Sequence, residues 1–195
     1  LKGIGRQIST LQPPAAANPQ SLVANGVAFD SWGNLYVADT ARGAIWRVRF
    51  DRYGNVSSPM ACDTTFMPDT LCLSNVFVAH PILEGVDGIA LDRAGNIWSA
   101  ANERNAIGVV TPDRRVYEFF RNPLNAQGLR NSADTADGNK HILELPTSPY
   151  LNGNRLCVAQ SDGDRRDNSP RAAGEVNAGS GSARGKISCM DQTLG

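Results

Sequence analysis

A segment of 24 residues occurs twice in this chain, and the two copies start 62 positions apart. Residues 25–48 align with residues 87–110, and ten of the 24 positions are identical. The identical positions are rich in small and turn-forming residues: Gly26/Gly88, Ala28/Ala90, Asp30/Asp92, Gly33/Gly95, Asn34/Asn96, Ala38/Ala100, Arg42/Arg104, Ala44/Ala106, Ile45/Ile107 and Val48/Val110. A repeat of this length indicates copies of one supersecondary unit that stack side by side.

Each copy has the pattern of a β-hairpin followed by a third strand. In the first copy the short apolar runs 27–29 and 35–38 flank a Gly-Asn pair, and such pairs tolerate the positive φ angles of hairpin turns. A third run, at 44–50, follows a second polar turn. The pattern predicts four-stranded antiparallel units, which are typical of a β-propeller. The repeat is longer than the usual blade of about 40–50 residues, and the excess lies at 57–83.

A third, fainter copy begins near Thr147. The segment 151–161 matches the turn and the second strand, and 185–191 is predicted to form the third strand after a long insertion. We therefore expect an all-β fold, a β-propeller of the six-bladed type with about three blades in this chain. Either the chain is part of a longer protein, which its first and last residues favour, or another copy completes the ring. The expected single domain covers 1–195, with blades at approximately 25–83, 87–145 and 147–191.

The charge balance excludes two classes of partner. The chain has 19 Lys and Arg residues against 19 Asp and Glu residues, so its formal net charge is zero. A neutral chain without basic clusters has no electrostatic footprint for nucleic acid or for an anionic membrane surface. No apolar run approaches the ~20 residues that a membrane span requires. We expect neither a nucleic-acid partner nor a membrane span.

The four cysteines are predicted to form two disulfide bonds. Cys62 and Cys72 bracket nine residues inside the long first repeat. Cys157 and Cys189 lie on strands that are predicted to be neighbours in the third blade. The short paired spacings of a structural zinc site, such as Cys-x-x-Cys, are missing from the sequence. These positions favour an oxidising compartment, so we expect a secreted or periplasmic protein.

Two motifs, one in each repeat, are similar to those of a known family. Asn-Gly-Val-Ala-Phe-Asp at 25–30 is followed by Gly-Asn-Leu-Tyr-Val-Ala-Asp-Thr at 33–40, and Val-Asp-Gly-Ile-Ala-Leu-Asp at 86–92 is followed by Gly-Asn-Ile-Trp at 95–98. These segments resemble the senescence-marker-protein, gluconolactonase and luciferin-regenerating-enzyme family of six-bladed propellers. The resemblance covers residues 25–120 well. Related propellers share the blade pattern, so the motifs specify the architecture more narrowly than the chemistry.

The resemblance implies a divalent cation, usually calcium, on the propeller axis. In that family the cation is held by a Glu and an Asn from early blades, an Asn at the start of a later blade and an Asp at the start of the next. Asn25 matches the later Asn and Asp87 matches the Asp, and the two occupy equivalent positions of the repeat. Amide and carboxylate oxygens suit a hard cation. The early Glu and Asn have no counterpart in this chain, and residues 1–24 hold no acidic residue.

Asp87 is also the candidate catalytic residue. In the lactonase-like members of the family the same Asp is the favoured general base, which activates water for attack on a ring ester while the cation polarises the carbonyl group. The residues alone leave a structural alternative open, because Asn or Asp before Gly commonly forms a turn. His80 lies shortly before Asp87 and is the candidate for the mouth of the channel, with a hydrogen-bonded loop histidine as its alternative.

Two functions from different classes are compatible with this sequence. The first is a calcium-dependent hydrolase of a lactone or a similar ester, with Asp87 as base and ligand and Asn25 as a ligand. The second is a non-catalytic propeller that binds a protein or a glycan, with the loop between Cys62 and Cys72 as its recognition element. A Glu and an Asn in an upstream segment would favour the enzyme. The open edges of a partial propeller also predict an association that completes or covers it.

Overall fold

The described residues form β-strands joined by short turns. The structure is a computed structural model, and it describes residues 10–11, 24–57, 70–71, 75–121, 143, 146–160 and 186–192. The strands are β1 (Thr10–Leu11), β2 (Ala24–Phe29), β3 (Leu35–Asp39), β4 (Ala44–Phe50), β5 (Val56–Ser57), β6 (Thr70–Leu71), β7 (Val76–Ala79), β8 (Val86–Leu91), β9 (Ile97–Ala101), β10 (Ala106–Val110), β11 (Val116–Arg121), β12 (Pro146–Asn152), β13 (Arg155–Gln160) and β14 (Lys186–Asp191). Short 3₁₀ turns occupy Thr40–Arg42, Pro81–Leu83 and Asn102–Arg104. Within these ranges no helix is long and apolar enough to cross a membrane.

The first hairpin turn of each repeat is built by an aspartate and a glycine. Gly33 and Gly95 adopt φ angles of 82° and 83°, which side chains rarely allow. The Asp30 carboxylate accepts hydrogen bonds from the backbone N–H groups of Trp32 (3.0 Å) and Asn34 (2.8 Å), and Asp92 makes the equivalent bonds in the second repeat. Both aspartates are therefore turn residues, as the sequence predicts.

The strands form three antiparallel sheets, which we call blades 1, 2 and 3. Blade 1 has the order β2-β3-β4-β5, and β7 pairs with the first residues of β4. Blade 2 has the order β8-β9-β10-β11, and blade 3 has the order β12-β13-β14. β1 and β6 form a separate parallel pair. The expected all-β fold of antiparallel propeller blades is confirmed, whereas the six-blade count and the expected blade limits stay predictions.

The hydrophobic core lies between the blades. Alternation along the strands places Tyr36 of blade 1 in one cluster with Ile89 of blade 2. The opposite face of blade 2 carries Trp98, which packs in a second cluster with Leu156 of blade 3. Blade 2 thus buries one face against blade 1 and the other against blade 3, and the three blades stack in sequence order.

Two glycines allow the first strands of neighbouring blades to approach each other closely. A Cβ atom on Gly26 would lie 2.4 Å from the carbonyl oxygen of Asp87, and one on Gly88 would lie 2.3 Å from the carbonyl oxygen of Thr147. No side chain fits at these distances, so only glycine permits the contact. The starts of β2, β8 and β12 are consequently held side by side.

Blade 3 contains the predicted disulfide bond between Cys157 and Cys189. The two cysteines face each other in the antiparallel register of β13 and β14, with their Cα atoms 4.0 Å apart. This confirms one of the two predicted pairs and the neighbouring strands that carry it. The predicted pair of Cys62 and Cys72 lies outside the described residues. A disulfide of this kind is typical of proteins in oxidising compartments.

Candidate functional site

Asn25 and Asp87 lie at equivalent irregularities near the starts of β2 and β8. In both strands the register shifts directly after the first residue. Asn25 and Gly26 therefore stand opposite a single residue of β3, and Asp87 and Gly88 stand opposite a single residue of β9. A bulge of this kind releases a side chain from the ladder and re-aims it. The two repeats thereby present an amide and a carboxylate from matching positions.

The structure brings the two predicted site residues together. The Asn25 side chain lies close enough to the Asp87 carboxyl to lower its pKa, although Asn25 belongs to the neighbouring blade. The Gly26 backbone lies directly against Asp87, as the contact with its carbonyl oxygen shows. Gly26 directly follows Asn25, and Gly88 directly follows Asp87. The close approach of the two strands at Gly26 therefore also brings Asn25 next to Asp87.

Two further polar residues support this pair, and sequence reasoning missed both. The Nδ2 atom of Asn25 donates to Thr40 Oγ1 at 3.3 Å, and the Nδ2 atom of Asn102 donates to Asp87 Oδ2 at 3.3 Å. The separation along the chain is 15 residues in both cases. Thr40 also donates to the carbonyl oxygen of Val86 at 2.6 Å, which ties blade 1 to the start of β8. Polar residues at the same offset in both repeats were the signal that could have identified them.

The surroundings of Asp87 change its proton affinity. Burial raises the pKa of the Asp87 carboxyl, and hydrogen bonds from Asn102 and Asn25 offset part of that rise. A carboxylate that has lost part of its hydration holds a proton more strongly than a solvated one. Asp87 is therefore better suited to accept a proton than an exposed aspartate, and a nearby cation would stabilise its charged form.

The donor atoms around Asp87 are oxygens and amides. The Asp87 carboxylate and the Asn25 side-chain oxygen are of the type that hard divalent cations prefer. The Oδ1 atom of Asn102 is buried and has no hydrogen-bond partner among the residues that the structure describes. A buried oxygen without a partner carries a free-energy cost that a donor or a cation would remove. The described residues hold no group of three or more His, Cys, Asp or Glu side chains suited to a metal. The residues present fit a hard cation with part of its coordination shell.

The sequence profile of one protein family covers this site. The profile described as "SMP-30/Gluconolactonase/LRE-like region" matches residues 15–127, which is more than half of the chain and includes both Asn25 and Asp87. The chain belongs to this family. The resemblance expected from the two repeat motifs is thus confirmed. A comparison with curated proteins gave no match.

Several solved structures are similar to this chain over most of its length. A luciferin-regenerating enzyme shares 15% identity over 72% of the chain, with a TM-score of 0.43. A calcium-binding protein, regucalcin, from Agrobacterium tumefaciens shares 19% over 70%, with a TM-score of 0.40. A virginiamycin B lyase from Staphylococcus aureus shares 15% over 73%, with a TM-score of 0.38. The chain spans only 36–38% of the length of these proteins.

His80 has a structural role in this family member. It follows β7, the strand that pairs with β4 on the side of blade 1 away from β2. The Nδ1 atom of His80 accepts a hydrogen bond from the backbone N–H of Ile82 at 3.1 Å. The backbone N–H of His80 donates to the carbonyl oxygen of Gly43 at 3.0 Å. The imidazole therefore caps the turn at Pro81–Leu83. The predicted position at the channel mouth stays a prediction.

Blade 3 places Thr147 where the other blades carry Asn25 and Asp87. The register of β12 also shifts directly after its first residue, so Thr147 stands out of the ladder in the same way. Its hydroxyl donates to the carbonyl oxygen of Ala159 at 3.1 Å. The three blades of this family member therefore contribute an amide, a carboxylate and a hydroxyl from one repeated position.

Proposed function

We propose that this chain is part of a calcium-dependent hydrolase of a lactone or a similar ester, with Asp87 as the general base and a cation ligand and Asn25 as a second ligand. The observation that supports this most directly is the contact between Asn25 and Asp87, which two equivalent bulges bring about. Family membership suggests the substrate class of the proposal, because gluconolactonases are among the proteins that the family description names.

Each side chain has a distinct task in this reaction. Asp87 accepts a proton from the water whose oxygen attacks the ester carbonyl, and later returns that proton to the ring oxygen when the carbon–oxygen bond breaks. Asn102 donates a hydrogen bond to the Asp87 carboxylate and holds it in one orientation, and the nearby Asn25 amide favours its charged form. When bound, a divalent cation supplies Lewis-acid polarisation of the ester carbonyl. Thr40 keeps Asn25 in place through the hydrogen bond at 3.3 Å.

Calcium calorimetry on the wild-type chain and on Asp87→Asn tests the proposal. The amide keeps the shape of the carboxylate and removes its charge, so we expect micromolar binding in the wild type and none in the variant. Asp113→Asn is the matched control, because Asp113 is 59% exposed and lies on the loop between β10 and β11. Equal binding heats in all three proteins, or no calcium binding by the wild type, would contradict the hydrolase. Hydrolysis of a panel of lactones then identifies the substrate.

The alternative, a propeller that binds a protein or a glycan, has one specific observation in its favour. A pocket of about 190 Å³ lies at the far ends of β2 and β8, and Phe29, Trp32, Leu91 and Arg93 contribute to its lining. Trp32 is 83% exposed there, and exposed aromatic rings are common in recognition surfaces. A Trp32-dependent change in fluorescence on titration with soluble oligosaccharides would support this function.

We also propose that the protein is secreted or periplasmic. The disulfide between Cys157 and Cys189 supports this location. Alkylation of free thiols in protein taken directly from the producing cells tests it: protection of both cysteines is expected, and quantitative labelling would contradict it.

A further inference from the structure

One structural position recurs near the start of the first strand in all three blades. Asn25, Asp87 and Thr147 occupy it, each at a shift in register against the second strand of its own blade. A Cβ atom on Gly26 would lie 2.4 Å from the carbonyl oxygen of Asp87. One on Gly88 would lie 2.3 Å from the carbonyl oxygen of Thr147. The contact from blade 2 to blade 3 therefore repeats the contact from blade 1 to blade 2.

Asp87 consequently has a polar neighbour on each side. Asn25 comes from blade 1, and Thr147, which is half-buried, comes from blade 3. The proposed function uses only the neighbour from blade 1. Thr147 also lies beyond residue 127, where the match to the family profile ends. Family membership therefore gives Thr147 no role, and the argument for one comes from the repeated geometry.

The hydrogen bonds at this position use donor groups within each blade. The Nδ2 atom of Asn25 donates to Thr40 Oγ1 at 3.3 Å, and the hydroxyl of Thr147 donates to the carbonyl oxygen of Ala159 at 3.1 Å. A threonine hydroxyl has one proton and two lone pairs. Since that proton is already donated, Thr147 Oγ1 meets any further partner through a lone pair. The carboxylate of Asp87 also offers only lone pairs.

Lone pairs of oxygen atoms from adjacent strands are what a hard cation requires. We propose that Thr147 Oγ1 is a third oxygen ligand of the cation that Asp87 and Asn25 hold. This inference rests on the proposed function and extends its site to blade 3. Calcium takes six to eight oxygen ligands, so two side chains leave room for a third. Thr147 adds an oxygen without adding charge, so its contribution is smaller than that of Asp87.

A purely structural role for Thr147 is the alternative that the test has to separate. The hydrogen bond to Ala159 closes the irregularity in β12, and removing the hydroxyl would loosen the strand beside Asp87. Calcium affinity could then fall without any direct ligation. A second measurement is needed that responds to the chemical nature of the atom at position 147.

Calcium calorimetry is the first measurement. Thr147→Val keeps the shape of the side chain and removes its oxygen, so we expect binding about tenfold weaker than in the wild type. Thr147→Ser keeps the oxygen and should keep the affinity. Ser148→Ala is the matched control, because Ser148 is the next residue along β12 and pairs in the regular ladder with Ala159. It should also keep the affinity, and circular dichroism shows that each variant is folded.

Cadmium calorimetry is the second measurement. Thr147→Cys replaces a hard oxygen with sulfur, which prefers soft metals. We expect calcium binding to weaken and cadmium binding to tighten by about tenfold or more relative to the wild type. Ser148→Cys measures the cadmium binding of a thiol that is one residue away. A hydroxyl with a structural role only would give both cysteine variants the same cadmium affinity. This comparison decides the question by itself if Thr147→Val does not fold.

The outcomes separate this inference from the hydrolase. Calcium binding that Asp87→Asn abolishes and Thr147→Val leaves unchanged overturns the role of Thr147 and leaves the proposed function standing. Weaker calcium binding by Thr147→Val, without a gain in cadmium affinity for Thr147→Cys over Ser148→Cys, overturns direct ligation. A wild type that binds no calcium overturns both the proposed function and this inference.

Discussion

Blades 1 and 2 share one repeat pattern, yet their interiors are held together differently. The residues that are identical in both blades build the hairpin turns and the close contact between first strands, such as Asp30/Asp92, Gly33/Gly95 and Gly26/Gly88. The differences include buried positions of the sheet. Position 39 of blade 1 is a buried aspartate, whereas the equivalent position 101 of blade 2 is a buried alanine. The two blades thus share the backbone geometry of their turns, but they differ in some of the side chains that pack inside the sheet.

In blade 1 a buried charged group organises the sheet. Asp39 is 0% exposed, and its Oδ2 atom accepts hydrogen bonds from Arg42 at 3.0 Å and from the Trp46 indole at 3.1 Å. Blade 2 has Ala101 and Gly108 at the positions of Asp39 and Trp46. Two residues of this network thus differ between the blades, and the arginine that both blades keep, Arg104 in blade 2, pairs instead with Glu118 at 3.4 Å.

The largest effect is expected from giving blade 1 the alanine of blade 2. Asp39→Ala leaves the Trp46 indole N–H without its acceptor and removes the carboxylate that pairs with Arg42, so unfolding should become easier by about 3 kcal/mol. Urea denaturation measures this. Asp51→Ala, on an exposed turn of the same blade, should cost far less. A loss below about 1 kcal/mol for Asp39→Ala would show that the network does not stabilise blade 1.

The second comparison concerns the shared turns. Asp92 accepts a hydrogen bond at 3.0 Å from the indole of Trp98, which is 1% exposed, whereas Asp30 is 3.4 Å from the Tyr36 hydroxyl. We expect Asp92→Ala to cost about 2 kcal/mol and Asp30→Ala about 1 kcal/mol, because only the first leaves a deeply buried donor unpaired. Equal losses would mean that the turn alone carries the effect.

The pH dependence of these two variants sharpens that measurement. Burial alone would raise the pKa of Asp92, but hydrogen bonds from Trp98, Asn96 and the backbone together lower it, and the pKa of Asp30 is lowered in the same way. A lowered pKa contributes stability above the unfolded-state pKa, and that stability is lost as the pH falls. The difference between wild type and each alanine variant should therefore shrink below about pH 4.

A smaller effect is expected from adding one carbon atom to blade 2. A Cβ on Gly108 would lie 2.8 Å from Ser99 Oγ and 3.4 Å from a methyl group of Leu83. Gly108→Ala should destabilise by about 1–2 kcal/mol through overpacking. Ser99→Ala in the same chain should relieve part of this, because it removes the nearer atom. A double-mutant cycle by urea denaturation measures the coupling, and strict additivity would contradict the steric explanation.

The smallest effect has the opposite sign and links stability to the site. Burial raises the pKa of Asp87, so its ionised form is unfavourable in the folded chain, and stability falls as the pH rises through that raised pKa. Asp87→Asn removes the charge and should raise the Tm by about 1–3 °C at pH 7, with no gain near pH 3. Differential scanning calorimetry at both pH values, without calcium, checks this. A lower Tm at pH 7 would contradict the burial cost.

Much of the fold was readable because the signals are local. Gly-Asn pairs and the apolar runs beside them placed the hairpins, and the third copy placed the strands that bring Cys157 and Cys189 together. The equivalence of Asn25 and Asp87 followed from the repeat alone. These features depend on turn geometry and strand alternation, which neighbouring residues determine.

The features that the sequence did not show depend on neighbours distant in the chain. β7 pairs with β4 after a long intervening segment. The sequence of Val76–Ala79 does not indicate which strand it pairs with. Thr40 and Asn102 look like ordinary turn residues until the bulges place Asn25 and Asp87 beside them. Arg42 and Arg104 occupy equivalent positions of the repeat, yet Arg42 pairs with Asp39 and Arg104 pairs with Glu118. Such contacts arise from packing rather than from local propensity.

The disulfide of blade 3 has a consequence for the order in which the chain folds. β13 and β14 meet although Cys157 and Cys189 are separated by 32 residues. Closing a loop of that length costs conformational entropy, and the favourable strand contacts form only after the loop has closed. This cost slows the pairing of the two strands. In the oxidised chain the disulfide already holds β13 and β14 close together. Their pairing during refolding is then as local as that of a short hairpin. Blade 3 should therefore assemble faster when the disulfide is formed than when it is reduced.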